Sequence, residues 1–455
     1  MIVWKNEPGR TARCPMCAAS KRQTLRLLAT SPLTGDTLSL YACSECGGHF
    51  YDPFVPLDGD RLYTDRHIQY YTEVGAGIGS IVQPLVSLRL GPGPRRLLDV
   101  GCGFGLSLDF ATHALGWKAV GVEPSRMGAA GKAALGVSIY NNYLDNVRAL
   151  KAARFDVVYC SEVLEHVGDP EAFTALLASR LTPDGVLILG TPNVEMVDPG
   201  TDPATLFGVL SPHFHTMLFS EQGLRRLLDR FAFAHVHVEK SGHQLIAHAS
   251  RQPLQLRPDP HRDPAAILKY LLDAAGRMAG QGSMMIGFLY RAMIGAAHLG
   301  LFPLCADIAP SLRRAVAAAY SLDLDDLEAV AARLEAATDF EDLGGRLPYC
   351  LFGICYGLGL AALHVEKNPA RAMGFFDLGF TACLRFLDIS LENFPEAAHL
   401  LWKMHLEGGM ARQAAGDDAG ARRAFDEMCA AADDPSPYRG IRPSPRLLEQ
   451  VRAMG

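Results

Sequence analysis

Between Arg96 and Glu123 the chain reads as strand, glycine turn, helix, strand and terminal acid, an order that few folds accept. Leu97-Leu98-Asp99-Val100 is a short apolar strand. It runs directly into Gly101-Cys102-Gly103-Phe104-Gly105 and then into a helix from Leu106 to about Leu115. Glycines at such a turn permit tight backbone dihedrals and remove Cβ atoms, so that a ligand can lie against the main chain. The start of the helix supplies free N–H groups. A second strand, Lys118 to Val122, ends in Glu123, which lies 22 residues after Gly101. An acid about 20 residues past the glycines is placed to accept hydrogen bonds from ribose hydroxyls.

Dinucleotide-binding domains share this layout, and two details separate them from this chain. Their pattern is G-x-G-x-x-G, whereas here the run is Gly101-x-Gly103-x-Gly105 with Leu106 next. Asp99 also sits two residues before the turn, where an acid repels a pyrophosphate but attracts a cationic amino acid or a sulfonium. The block "LLDVGCGFG" resembles the first motif of Rossmann-like methyltransferases that bind S-adenosylmethionine. That resemblance implies that Gly101 and Gly103 face the methionine part and that Glu123 holds the ribose.

The flanking segments fit the same reading. From 95 to 250, short apolar strands alternate with helices of ten to fifteen residues, which predicts βαβ units and a mostly parallel sheet in the α/β class, and the resemblance implies that this sheet has seven strands. "FDVVYCSEVLEHV" holds a strand, Phe155 to Cys160. It is similar to the segment that closes over the methionine in these enzymes, which adds Cys160 and Ser161 to the expected cofactor contacts. Leu181-Thr182-Pro183-Asp184-Gly185 reads as a turn into a buried strand, Val186 to Leu189. Phe231 to Glu239 and Gln244 to His248 read as an antiparallel pair at the sheet edge. Asp145 is either a further cofactor contact or a solvated loop acid. Gly75-Ala76-Gly77-Ile78-Gly79 mimics a glycine loop, but no strand precedes it. It is expected to be a hinge or lid turn, with Tyr70 and Tyr71 covering the cofactor.

Cys14-Pro15-Met16-Cys17 and Cys43-Ser44-Glu45-Cys46 are separated by 25 residues. Each C-x-x-C aims two thiolates at one point, and two such knuckles complete a tetrahedral Zn²⁺ site. Disulfides are the competing reading, disfavoured in a chain with no export signal. Four thiolates leave no open position, so this zinc is expected to be structural. "CPMC…LYACSECGGHFYDP" ahead of the cofactor motif resembles a bacterial group of zinc-ribbon methyltransferases, which implies a sugar or glycan acceptor.

Methyl transfer from a sulfonium is an in-line displacement, and a hydroxyl or carbon acceptor also needs its proton removed. His166, and His213 or His215 in "SPHFHTMLFS", are the candidate bases. The competing reading gives them loop-packing roles.

The remainder divides by composition into a zinc-ribbon-like module (1–60), a helical lid or linker (61–94) ending at Gly91-Pro92-Gly93-Pro94, the cofactor domain (95–250), a proline-rich linker (251–264), a helical domain (265–435) and a polar tail (436–455). The helical domain repeats one arrangement 49 residues apart. Asn368-Pro369 precedes Ala372 and Phe376, and Gly416-Asp417, seven positions after Gly409, precedes Ala421 and Phe425. This resembles tetratricopeptide helix pairs, with a plain helical bundle as the alternative. Such a domain offers a docking face for a protein partner, and in a third reading the chain is a scaffold.

The 455 residues carry a net charge of −6, which argues against a nucleic-acid binder. The basic run Lys5, Arg10, Arg13, Lys21, Arg22 and Arg26 keeps a zinc-ribbon RNA methyltransferase as the alternative. The most apolar stretch, Met284 to Cys305, is broken by Arg291 and His298 and reads as a buried helix pair rather than a membrane span. The eleven cysteines and the start of the chain, which lacks an apolar leader, point to the cytoplasm.

Overall fold

The computed structural model describes residues 1–32, 34–54, 64–75, 78–90, 93, 95–257 and 264–454. Ala76, Gly77, Gly91, Pro92, Pro94, Pro258 and Pro260 of the expected turns and linker lie outside the described residues. The strands are β1 (Ile2–Arg13), β2 (Ser20–Thr30), β3 (Thr37–Ala42), β4 (His49–Tyr51), β5 (Arg96–Val100), β6 (Lys118–Val122), β7 (Ile139–Tyr140), β8 (Phe155–Ser161), β9 (Leu181–Pro192), β10 (Met217–Leu218), β11 (His235–Ser241) and β12 (Gln244–Ser250). The helices are α1 (Asp65–Val74), α2 (Ile78–Val86), α3 (Leu106–His113), α4 (Arg126–Leu135), α5 (Pro170–Ala178), α6 (Pro203–Leu210), α7 (Glu221–Leu228), α8 (Pro264–Arg277), α9 (Gly282–His298), α10 (Phe302–Tyr320), α11 (Leu327–Ala336), α12 (Phe340–Arg346), α13 (Leu351–His364), α14 (Pro369–Ile389), α15 (Pro395–Ala414), α16 (Asp418–Asp433) and α17 (Pro445–Met454).

Two compact units divide the chain. One comprises Met1–Thr64, Ile78–Pro199 and Val209–Asp263, and the other Asp65–Gly77, Gly200–Gly208 and Pro264–Gly455. The boundary at Gly77 falls in the glycine-rich stretch read as a hinge.

The first unit holds two sheets. The larger has the order β11-β12-β9-β8-β5-β6-β7, and only β12 runs against the others. Its central strands are short apolar runs because helices cover them on both faces. Leu97, Leu98, Val157, Val158, Leu187 and Leu189 are each fully buried. The helices between them start at sequence-coded caps. Ser125 accepts from Met127 N at α4, Asp169 accepts from Glu171 N and Ala172 N at α5, and Ser220 accepts from Gly223 N at α7.

The stretch Leu181 to Gly185, read as a turn, is instead the start of β9. Phe155 pairs with Leu181 but Val157 pairs with Val186, so the surplus residues bulge out of one continuous strand. The expected linker is also partly ordered. Arg89 N donates to Gln255 O at 2.8 Å and Arg257 N to Ser87 O at 2.9 Å.

The smaller sheet has the order β1-β2-β3-β4-β10. Its last strand comes from beyond the ribbon: Met217 pairs with Phe50 and Leu218 with His49. The cysteine module is therefore built into the first unit. Its Cys14, Met16, Cys43, Cys46 and Phe50 share one buried cluster with Leu98, Leu164, Met217 and Phe219.

The second unit is helical. Gly409 of α15 lies where an added Cβ would meet Phe425 Cε1 of α16 at 2.4 Å, and Gly359 of α13 lies likewise 2.5 Å from Phe376 Cε1 of α14. Each helix pair thus closes on a glycine that admits the next helix's phenylalanine. The first of these glycines is Gly359, one residue away from the position that the 49-residue repeat would give. Asn368 and Asp417 are the N-caps of α14 and α16, accepting from Arg371 N and Gly420 N.

Helix α1 belongs to this second unit. Glu73 is fully buried there and accepts hydrogen bonds from Tyr320, from Gln69 Nε2 at 3.1 Å, from Ser283 Oγ at 3.0 Å and from Tyr349 N at 2.8 Å. The expectation that Tyr70 covers the cofactor is corrected. Its hydroxyl bonds Asn393 O, and its ring packs among Phe340, Tyr349 and Phe394. Among the described residues, no single helix is long and apolar enough to cross a membrane. The bent pair Phe340–Arg346 and Leu351–His364 passes that test by length and composition only.

Candidate functional site

The glycine turn is held by its own backbone. Gly101 N and Cys102 N both donate to Val122 O, at 2.9 and 3.2 Å, which fastens the end of β5 to the end of β6. Gly101, Gly103 and Gly105 have φ of 76°, 51° and 84°, conformations that other residues rarely adopt. A Cβ on Gly101 would lie 2.3 Å from Val163 Cγ2. The intervening Cys102 and Phe104 turn inward and are buried. Gly101 and Gly103 remain partly exposed, while Gly105 is buried against Ile139 and Val137.

Glu123 is tied to the turn. Its Oε2 accepts from Gly103 N at 3.1 Å and its Oε1 from Ser125 N at 2.9 Å. A carboxylate has about four acceptor sites, so both oxygens keep capacity for hydroxyls of a ligand. Asp99 is 2% exposed and accepts from Ser107 Oγ at the start of α3. Burial pushes its carboxyl up to about 7. These residues fit a nucleoside with a cationic tail: a side-chain-free turn, an acid for hydroxyls and a second acid beneath.

Two glycines of this region were missed in the sequence. A Cβ on Gly131 of α4 would lie 1.9 Å from Phe104 O, and one on Gly121 would lie 2.4 Å from Cys102 Sγ. Their signal was present as glycine inside a helix and inside a strand, where it otherwise only destabilises.

The other expected cofactor residues divide. Ser161 ends β8, and its Oγ packs over Gly190, where a Cβ would meet it at 2.3 Å. The Cys160 side chain lies in the apolar core with Leu98 and Leu189, and burial holds its thiol well above the ordinary range. Strand alternation turns the residue 160 side chain to this core face. Tyr71 lies on α1, which is assigned to the helical unit. Asp145 is exposed, in a short 3-10 turn from Leu144 to Asn146.

Beyond β8 the chain forms a second cluster. Glu162 has φ 56°, and its Oε1 accepts from Gln244 Nε2 at 2.7 Å. Desolvation by the surrounding protein and the neighbouring Glu165 push its carboxyl up to about 8. Glu165 is fully buried. Its Oε2 accepts from Thr191 Oγ1 at 2.9 Å, its Oε1 has no hydrogen-bond partner, and burial raises it to about 7.

The His166 side chain is 40% exposed, with Nε2 3.7 Å from Glu165 Oε1 and Nδ1 2.9 Å from Phe214 O. The His215 ring lies 4.9 Å from that of His166, and its Nδ1 is 2.7 Å from Val209 O. Desolvation lowers both imidazoles, His215 to about 3. His215 is buried, whereas the His166 side chain reaches solvent.

His213 does not join them. It is 2% exposed, with φ 74°, and its Nε2 lies 3.1 Å from Thr34 Oγ1 and 3.6 Å from Asp36 Oδ2. It ties its segment to the β2–β3 loop. Side chains two residues apart here face different neighbours, which "HFH" alone does not reveal.

The four cysteines converge. Cys14 Sγ is 3.8 Å from Cys46 Sγ, and Cys17 Sγ is 3.7 Å from Cys43 Sγ. All four are free. Sulfurs in a disulfide lie about 2.0 Å apart, whereas ligands at about 2.3 Å around one zinc stand about 3.8 Å apart. The knuckles also match each other. Cys14 N bonds Ala19 O and Ala18 N bonds Cys14 O, while Cys43 N bonds Gly48 O and Gly47 N bonds Cys43 O.

Comparison with known proteins bears on the central part of the chain. Residues 65–238 match a family model described as methyltransferase domain. A ubiquinone biosynthesis O-methyltransferase from Xanthomonas axonopodis pv. citri is 39% identical over 113 residues, covering 24% of this chain and 47% of that protein. One from Rhodopseudomonas palustris is 34% identical over 104 residues, covering 22% and 40%. The chain thus spans about half the length of the curated relatives it matches, or less. The solved structure of an O-methyltransferase family protein from Burkholderia thailandensis is similar with a TM-score of 0.34 and 17% identity, over 41% of this chain and 59% of that one. The matched residues take in the glycine turn, Glu123 and the 162–166 cluster.

Proposed function

We infer that this chain is an S-adenosylmethionine-dependent methyltransferase acting on a hydroxyl of a small-molecule or glycan acceptor. The observation that carries this reading is the glycine turn fastened to Glu123 through Gly103 N, within a segment that matches a methyltransferase domain. The cofactor supplies an electrophilic methyl group on a sulfonium. Gly101, Gly103 and Gly105 would bind its aminoacyl part, with Asp99 beneath, and Glu123 would accept from its ribose hydroxyls. The relatives' name, O-methyltransferase, favours an oxygen acceptor.

The Glu165–His166 pair would receive or loosen the acceptor's proton. His166 reaches solvent, and its Nδ1 must donate to Phe214 O because a carbonyl only accepts. Its Nε2 therefore keeps the lone pair. Zinc at Cys14, Cys17, Cys43 and Cys46 would be structural. It would hold the sheet whose β4 pairs with β10, next to His215. The glycines inside α13 and α15 favour a tetratricopeptide-like pairing of the C-terminal helices, a face suited to a protein partner.

Calorimetry with S-adenosylhomocysteine tests the cofactor half. Binding that Glu123→Ala weakens by about 1–3 kcal/mol supports it, and nicotinamide dinucleotide binding in its place overturns it. Turnover of labelled cofactor by His166→Ala, with nucleoside binding intact, tests the proton role. An unchanged rate removes it.

A further inference from the structure

We propose that Glu165, His166 and His215 form a second metal site, for a divalent first-row transition ion, beside the acceptor. Their ligand atoms all lie within 4.8 Å of one another, and His166 Nε2 stands 3.7 Å from Glu165 Oε1. Donors about 2.1 Å from a tetrahedral ion stand about 3.4 Å apart, so the His166–Glu165 pair is nearly at that spacing and a pair at the 4.8 Å limit would close by about 1.4 Å. The His166 side chain is partly exposed and can supply that movement by rotating about its side-chain bonds.

The donor chemistry is set by the neighbours. Nδ1 of His166 and Nδ1 of His215 each face a backbone carbonyl, Phe214 O and Val209 O. Carbonyls only accept, so both rings carry their proton on Nδ1 and present an unprotonated Nε2. Metal-bound histidines are oriented in the same way by their other ring nitrogen. Thr191 holds one oxygen of the Glu165 carboxylate. The other oxygen is fully buried, receives no hydrogen bond from an N–H or hydroxyl, and has the Glu162 carboxyl as a close neighbour.

The set is two imidazole nitrogens and one carboxylate oxygen, with open positions left for a ligand. That suits zinc or ferrous iron more than magnesium or calcium, which take oxygen ligands. The site differs from the cysteine cluster, which has four thiolates and no open position. The inference rests on the proposed acceptor side of the methyltransferase domain and deepens that reading. An ion here would hold an acceptor hydroxyl and lower its proton affinity; with the His166 Nε2 lone pair on the ion, the released proton passes to solvent, and His166 acts as a ligand in place of the base role given above.

Cobalt(II) is the probe, added to the full chain. The thiolate site then shows a sulfur-to-metal band in the near ultraviolet, and a nitrogen–oxygen site shows only weaker visible bands. We expect one ion with the thiolate band and another without it. His166→Ala alters a partly exposed side chain and should fold. It should weaken the second ion by at least about tenfold and leave the thiolate band unchanged. Glu165→Gln should do the same. A wild-type chain that takes up only the thiolate-marked ion overturns the proposal, as does a second ion indifferent to both substitutions. S-adenosylhomocysteine binding in the same samples separates the two readings. Retained nucleoside binding without a second ion sinks the metal site alone, whereas absent nucleoside binding sinks the function proposed above.

Discussion

Thr216 gives both its backbone N–H and its hydroxyl to the carbonyl oxygen of Glu165, at 2.7 and 2.9 Å. Its own carbonyl accepts from Tyr51 N at 3.1 Å. One residue therefore joins the last strand of the cysteine module to the loop that carries Glu165 and His166. Thr216→Val keeps the shape and the N–H but loses the hydroxyl. We expect a stability loss of about 1 kcal/mol and a fall in turnover larger than any change in S-adenosylhomocysteine affinity. Equal losses in both would mean that Thr216 serves the fold alone.

Ala18 and Gly47 occupy the same place in the two cysteine knuckles, with φ of 60° and 72°. An L-residue other than glycine is strained there. Ala18→Gly should stabilise the chain by about 0.5–1 kcal/mol, the relief exceeding the added freedom of the unfolded chain. Urea midpoints measured with zinc present would show it, and a lower midpoint would refute the matched-knuckle geometry.

Asp99 is held near 7 by burial, well above the ordinary carboxylate value of about 3.9. The folded state keeps a proton that the unfolded chain releases. Its contribution is full below about pH 4 and is lost as pH rises through about 7. Glu165 in the same unit, raised to about 7 by burial, acts in the same direction. Without ligand, the melting temperature of the first unit should fall between pH 5 and 8, and Asp99→Asn should make that fall shallower. An identical slope in the variant would show that Asp99 titrates normally.

In the helical unit, Gly409→Ala should cost about 1–3 kcal/mol, since the new methyl meets Phe425 at 2.4 Å. Phe425→Leu should recover part of that loss in the double variant, which a cycle of denaturation curves would reveal. Strict additivity would mean that the two residues are not in contact.

The sequence by itself determined what short-range chemistry dictates. The turn at Gly101 to Gly105, the acid at Glu123 and the paired cysteine knuckles are all written within a few residues, where backbone sterics and ligand spacing leave few choices. The caps Ser125, Asp169 and Ser220 are of the same kind. Only the tertiary structure decided the contacts between distant segments. It sent Tyr70 into the helical unit, Cys160 into the core and His213 to Thr34, and it brought His215 to His166. It also turned Leu181 to Gly185 into a strand bulge and gave β10 to the ribbon sheet. The reason is physical. Which neighbour a side chain meets across 50 residues depends on pairing register and on what each face must bury, and a local pattern carries neither.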